Sequence, residues 1–276
     1  MSNDEKKQQE KEQREEEEAL QRSAPSGRTV YLAIEGEGRH ELDRSSRALA
    51  WSGLAAGLSM GFSLISEGLL RAHLAETEWR ALVVKLGYSI GFLIVILGRQ
   101  QLFTENTLTP ILPLLKDWSG KTLLNVLRLW GIVLVTNLCG GILIAIVIGK
   151  LDVFDQNLLD TMFRIGREAF GKPFFIVMLR AIFAGWLIAL MVWLLPYAET
   201  QRIWVIIILT YLIGIGHFPH VIAGSIEVFV VAVRGEITWA QAFGSYVLPT
   251  LIGNILGGVA LVAALSHAQV MAGESK

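Results

Sequence analysis

From position 48 onward, apolar residues fill the chain in long blocks separated by short polar stretches. Six blocks, 48–70, 81–116, 122–149, 174–196, 203–234 and 243–266, are each long enough to span a membrane, since a helix needs about 20 residues to cross the hydrocarbon core. At 36 and 32 residues, the second and fifth are too long for one simple crossing. Each contains a polar interruption: Leu102-Phe103-Thr104-Glu105-Asn106-Thr107 in the second, Gly216-His217-Phe218-Pro219-His220 in the fifth. Pro110 and Pro113 follow the first closely and Pro219 lies inside the second; proline removes a backbone donor and ends or kinks a helix. Backbone that leaves the helix at membrane depth is tolerated only where protein buries it or where it lines a cavity. The pattern therefore predicts a helix, a re-entrant break and a half-helix in each of these blocks. Breaks at matching places in two halves of a chain point to a transport site.

An internal repeat supports the division into halves. Asn137-Leu138-Cys139-Gly140-Gly141 returns as Asn254-Ile255-Leu256-Gly257-Gly258, 117 residues later. The same offset carries the first break, 102–107, onto 219–224, overlapping the second. Small residues alone would be explained by close helix packing, but the shared offset would not. The expected fold is an all-α integral membrane protein: six transmembrane helices in two inverted three-helix repeats, with the second and fifth helices broken. Asn137 and Asn254 mark the repeat.

Charge sharpens the boundaries. Residues 1–47 hold 21 of the 49 charged side chains, net −3, and the other 229 residues are net +2. The expected organisation is a charged, largely disordered tail over 1–47 with a short surface helix within 29–47, a channel domain over 48–267, and a short C-terminal tail over 268–276. The N-terminus has no short basic-then-apolar leader, so no cleaved signal is expected. A single cysteine, Cys139, excludes an internal disulfide. Basic residues divide almost evenly between the two faces, so the positive-inside rule barely discriminates. The long charged tail favours both termini in the cytoplasm.

His220 is the main candidate for chemistry, because a histidine at membrane depth is expensive to bury and marks a pathway or relay. A neutral imidazole would hydrogen-bond a permeating anion or exchange a proton with it; the structural alternative is a histidine tying loop carbonyls together. Thr104 offers a hydroxyl at the other break, either facing His220 across a pore or capping the following half-helix. His217 and His220 form an H-x-x-H pair, but two ligands with no third do not make a metal site. Arg99 with Glu105, and Arg180 with Glu227, are expected to be ion pairs. No phosphate loop or nucleotide fingerprint occurs, Ser225 lacks a nucleophile-elbow setting, and neither an enzymatic activity nor a cofactor is expected.

In combination these segments resemble the formate/nitrite transporter family, anion channels with an aquaporin-like fold, over roughly residues 40–267. The resemblance rests on Tyr88-Ser89-Ile90-Gly91 ahead of Leu102-Phe103-Thr104, Trp130 to Gly140, Gly185 to Val192, His220-Val221-Ile222-Ala223, and Leu248-Pro249 through Gly253-Asn254 and Gly257-Gly258. It implies a homopentamer in the bacterial inner membrane, each protomer with its own pore. Leu102 would form the cytoplasmic constriction with Phe103 beside it, and Tyr88 the periplasmic one, where Ile213 replaces a second aromatic. His220 would lie between them, Thr104 on a mobile loop facing it, and Lys172 where a basic residue draws anions in. Gly224 stands where the family usually has Asn, and Pro219 and Glu105 also depart from its pattern.

The expected partners are small monovalent anions (formate-like monocarboxylates or nitrite), protons and the lipid bilayer, with no nucleic acid and a possible cytosolic partner for the tail. An aquaporin-like pore for water or neutral solutes, and a non-conducting scaffold or sensor with the same fold, are the alternatives.

Overall fold

The computed structural model describes residues 26–274; the segment 1–25, which carries most of the expected tail, lies outside the described residues. Side-chain oxygens set several helix starts, each accepting from the backbone N–H three residues on, as N-caps do. Ser26 opens α1 (Gly27–Asp43), Ser45 opens α2 (Ser46–His73), Ser119 opens α6 (Gly120–Lys150) and Asp155 opens α7 (Gln156–Ala169). Between α2 and α6 come α3 (Arg80–Val84), α4 (Tyr88–Leu97) and the short α5 (Ile111–Lys116). After α7 come α8 (Phe174–Leu194), α9 (Arg202–Ile215), α10 (Ala223–Val233), α11 (Trp239–Ala242), α12 (Leu248–Ile255) and α13 (Leu265–Glu274).

Among the described residues, five helical runs are long and apolar enough to cross a membrane: Ser46–His73, Arg80–Leu97, Gly120–Lys150, Phe174–Tyr197 and Trp239–Val270. Two shorter apolar helices, Arg202–Ile215 and Ala223–Val233, accompany them. Large apolar side chains such as Leu124, Val135, Phe175 and Ile208 point outward, as expected of surfaces that meet lipid or another protein. α10 is buried along its whole length, packed against α2, α6 and α7.

The chain leaves α-helical geometry in two places built alike. α4 ends at Leu97 and is followed by Gly98 and then Arg99 at φ 50°; α9 ends at Ile215 and is followed by Gly216 and then His217 at φ 47°. A left-handed non-glycine residue is uncommon and marks a constrained turn. The first segment resumes as a 3-10 turn, Glu105–Thr107, before α5; the second resumes directly as α10.

Close helix approach supports both segments. A Cβ on Gly57 would run into the backbone of Asn137, and one on Gly140 into the backbone of α2; likewise Gly185 meets the backbone of Asn254, and Gly257 that of α8. Packing of this kind is how helices associate in lipid, where the hydrophobic effect between them is lost.

The run through α11–α13 widens into π-helix at Phe243–Val247 and Leu256–Ala264. Pro249 supplies a cause for the first, since its ring lacks a donor and crowds the carbonyl four residues earlier.

α1, the surface helix expected near 29–47, packs on α5 and α13 and buries Tyr31 and Ile34. The Tyr31 hydroxyl lies 2.8 Å from His267 Nδ1. Residues 268–274, expected as a short tail, continue α13 instead, because the helix that carries His267 is held against α1.

Candidate functional site

Two asparagines organise the site. From α6, Asn137 Oδ1 accepts from Phe103 N at 2.9 Å, while Nδ2 donates to Gly53 O and Gln101 O, both at 2.8 Å. From α12, Asn254 Oδ1 accepts from Val221 N at 2.9 Å, and Nδ2 donates to Ala181 O at 2.8 Å and Pro219 O at 3.0 Å. Each side chain thus pairs two backbone groups of a non-helical segment, as buried polar groups require, and ties that segment to one carbonyl of a neighbouring helix.

These anchors bring Thr104 and His220 together. Both are fully buried, and Thr104 Oγ1 lies 2.8 Å from His220 Nε2. His220 Nδ1 accepts from the backbone N–H of Ile222 and of Ala223, each at 3.2 Å, and so caps α10. An accepting Nδ1 carries no proton, so the hydrogen-bond pattern assigns the ring proton to Nε2, directed at Thr104. Thr104 makes no side-chain cap on the turn that follows. Its hydroxyl accepts from His220 and retains a proton with no acceptor among the described residues. Phe92 packs edge-on against the imidazole, 4.9 Å between ring centres.

On the Arg99 side of this pair a vestibule of about 680 Å³ reaches Leu102 and Glu105, with Glu37, Glu41, Arg99 and Arg202 also on its walls. On the His217 side, a small chamber of about 50 Å³ touches His220 itself, and a wider vestibule of about 700 Å³ that shares His217 and Glu168 with it lies alongside. Tyr88, Ile213, Gly224 and Lys172 all border the small chamber. Burial holds the Lys172 ammonium below its ordinary value, and the nearby Arg180 guanidinium acts in the same direction.

Leu102 and Phe103 are buried, and Phe103 packs edge-on against Trp130. The structure thus brings Leu102, Phe103, Thr104, His220, Asn137 and Asn254 into one region, with Tyr88, Ile213, Gly224 and Lys172 around the chamber on the His217 side.

Two expected ion pairs do not form. Arg99, turned outward by its left-handed backbone, lies 3.6 Å from Glu37 of α1, and Glu105 has no ion-pair partner among the described residues. Arg180 instead donates to the carbonyls of Gly216 and His217, at 2.7 and 3.3 Å, where its charge meets the negative end of α9. Sequence reasoning also missed Tyr246, whose hydroxyl occupies the space that a side chain at Gly224 would need, and Phe92. The glycine itself was the available signal for Tyr246, and the four-residue step from Tyr88 for Phe92.

The formate/nitrite transporter family model matches residues 28–268. The chain belongs to the formate/nitrite transporter family. It is 39% identical over 241 residues to the inner membrane protein YfdC of Escherichia coli (strain K12), covering 87% of this chain and 78% of that one. It is 25% identical to a probable formate transporter of Methanothermobacter thermautotrophicus, over 76% of this chain and 84% of the other. The fold is similar to that of a pentameric formate channel with formate bound, at TM-score 0.65 and 20% identity, over 83% of this chain and 100% of that one. It is also similar to a formate/nitrite-transporter-family ion channel, at TM-score 0.71 and 19% identity, over 86% and 96%. Members of this family are membrane transporters, not enzymes.

Proposed function

We propose that this chain is a pore for small monovalent anions of the formate and nitrite class, which cross past His220 and Thr104. The observation that carries the reading is the Thr104–His220 hydrogen bond at 2.8 Å, with one cavity against His220 and a separate one against Leu102 and Glu105. The Nε2 proton is spent on Thr104, so the Thr104 hydroxyl proton is the donor left for a solute. An anion replacing that missing acceptor receives a hydrogen bond polarised by the imidazole behind it.

In this reading the chain crosses the membrane six times in two inverted three-helix units. The broken second and fifth crossings are α4 with the Leu102–Thr107 segment and α5, and α9 with the His220 segment and α10. Leu102 forms the constriction on the cytoplasmic side, with Phe103 and Asn137 holding its shape. Tyr88 and Ile213 form the periplasmic one, and Lys172 draws anions toward it. Protons move with the anion, which passes the apolar constrictions as a neutral acid. Similarity to an Escherichia coli inner membrane protein and to a pentameric formate channel supports a homopentamer in the inner membrane. Both termini lie in the cytoplasm in the same reading, where the charged segment 1–25 meets a cytosolic partner.

Flux in proteoliposomes across a pH gradient, with formate, acetate, nitrite and water as solutes, tests it. The expected result is anion uptake that rises as the outer pH falls and is lost in His220→Ala. Uptake unchanged by that substitution removes His220 from the mechanism. Water flux without anion flux would make the chain an aquaporin-like pore, and no flux of any solute would favour a scaffold.

A further inference from the structure

Three polar groups on the His217 side of His220 take no part in the passage from Thr104 to His220. The Glu227 carboxylate, the Tyr246 hydroxyl and the Tyr88 hydroxyl all border the chamber of about 50 Å³. The three residues are between 3% and 8% exposed. None of the three groups has a hydrogen-bond or ion-pair partner among the described residues, so each is left to pair with whatever occupies the chamber. Three unpartnered groups facing one small cavity are the arrangement that a polar ligand would satisfy.

The local sequence explains how the site arises. Gly224 lies four residues after His220 and three before Glu227, on one face of α10. A Cβ there would collide with the Tyr246 hydroxyl, so its absence admits the phenol. Tyr246 comes from the π-helical turn Phe243–Val247, a widening of a kind often found at functional sites. Position 224 thus gives up its own side chain, and Tyr246 supplies a hydroxyl from the facing helix.

The surroundings decide what the site does. Lys85, the nearest cation from the α3–α4 side, is committed to an ion pair with Glu67 of α2. Glu168 of α7 is paired bidentately with Arg71 of α2. α6 presents no charge here, packing Gly141 against Ile226 and Gly149 against Val233 of α10. His217, Lys172 and His220 complete the titratable groups around the chamber. Glu227 is therefore a carboxyl group beside a pore without a counter-ion of its own. As a fixed anion it would repel a passing anion; as a carboxylic acid it is a donor. At about 10–15 Å³ per water-sized group, the chamber has room for roughly three to five heavy atoms, which suits formate, nitrite or acetate.

We propose that Tyr88, Glu227 and Tyr246 form a binding chamber for a small monocarboxylate, in which Glu227 exchanges a proton with the bound anion. This rests on the pore reading. In the step, the Glu227 O–H bond breaks and an O–H bond forms on the anion, which leaves as a neutral acid. Glu227 becomes a carboxylate and regains a proton from water of the adjoining vestibule. The two phenols donate hydrogen bonds to the anion while it is held. The reverse sequence serves transport in the other direction.

The test uses the full-length protein in proteoliposomes, with sodium formate as the probe and two readouts. In the first, formate-driven proton movement is followed with a pH-sensitive dye. Glu227→Gln, which keeps shape and loses the exchangeable proton, is expected to lower it about tenfold and flatten its pH dependence, the worth of one charge-assisted hydrogen bond. Tyr246→Phe is expected to lower the rate and leave the pH profile in place. In the second, the carboxylic C=O infrared band that disappears in Glu227→Gln is expected to shift when formate is added to wild type. A shifted band in a wild type that conducts no formate would sink the pore reading and keep the chamber. Wild-type flux and pH profile in both variants, with an unmoved band, would overturn the chamber and keep the pore. Should Glu227→Gln fail to assemble, Tyr246→Phe at full flux with no band response to formate would overturn the chamber.

Discussion

Asn254 treats the backbone beside His220 as Asn137 treats the backbone beside Thr104: each amide oxygen accepts one N–H, and each amide nitrogen donates to two carbonyls. The carbonyl partners match too. Gln101 and Pro219 precede the two anchored N–H groups by two residues, and Gly53 and Ala181 lie on neighbouring helices. An amide is required in both places, because only Asn or Gln offers an acceptor and two donors on one planar group. Asn137→Ala and Asn254→Ala are each expected to destabilise the protein, by about 1–3 kcal/mol for each buried group left unpaired. Asn→Asp is expected to be as harmful, since it removes both donors. Thermal denaturation in detergent measures this; alanine variants that melt with wild type would show that the segments hold themselves.

The His220 ring is assigned a proton on Nε2 because Nδ1 accepts from Ile222 and Ala223. Nitrogen-15 spectra of labelled histidine should show one protonated and one bare ring nitrogen for this residue, with the bare one at Nδ1. Thr104→Ser keeps the hydroxyl that faces Nε2 and is expected to conduct near wild type. Thr104→Val removes it and is expected to reduce anion flux about tenfold, the worth of a hydrogen bond lost from a buried site. Equal flux in the two variants would show that the Thr104 hydroxyl plays no part in passage.

Gly185 packs its Cα against the backbone of Asn254, so Gly185→Ala must push α8 and α12 apart. Overpacking a tight contact typically costs about 1–3 kcal/mol, and here the displaced element carries the anchor for the His220 segment. The variant is therefore expected to lose flux as well as stability. Gly131→Ala, where an added methyl meets nothing within 4 Å, is the matched control. A Gly185→Ala protein as stable and active as the control would show that this contact is slack.

Much of this arrangement is legible in the sequence. The polar stretches at 102–107 and 216–220 and the matched asparagines follow from apolar blocks too long for one crossing and from a single offset. Those patterns leave Thr104 open between facing His220 and capping the next half-helix, and only the family resemblance favours the first. What stays hidden depends on geometry across the chain. Nothing local says that Arg99 takes a left-handed turn and points toward Glu37, so pairing it with the neighbouring Glu105 is the natural error. Gly224 signals a position left open for a neighbour, but nothing local says that the neighbour is Tyr246, on a different helix. The network from Glu41 through Gln101 to Asn106, which ties α1 to the first break, joins residues far apart in sequence.

Arg71 and Glu168 join the end of α2 to α7 through two parallel hydrogen bonds of 2.8 and 2.7 Å. The guanidinium holds the Glu168 carboxyl below its ordinary value of 4.5, outweighing the opposing effect of burial. A carboxyl lowered on folding contributes its full stabilisation above 4.5 and loses it as pH falls through the lowered value. Both groups are partly exposed, so the contribution is small and screened by salt. On acidification below 4.5 the melting temperature of wild type is therefore expected to fall faster than that of Glu168→Gln, and high salt should narrow the gap. The pair borders the His217-side vestibule, so the same experiment separates acid effects on the scaffold from acid effects on transport. If the two melting curves run parallel with pH, the pair contributes nothing to stability, and the acid dependence of flux must come from the pore itself.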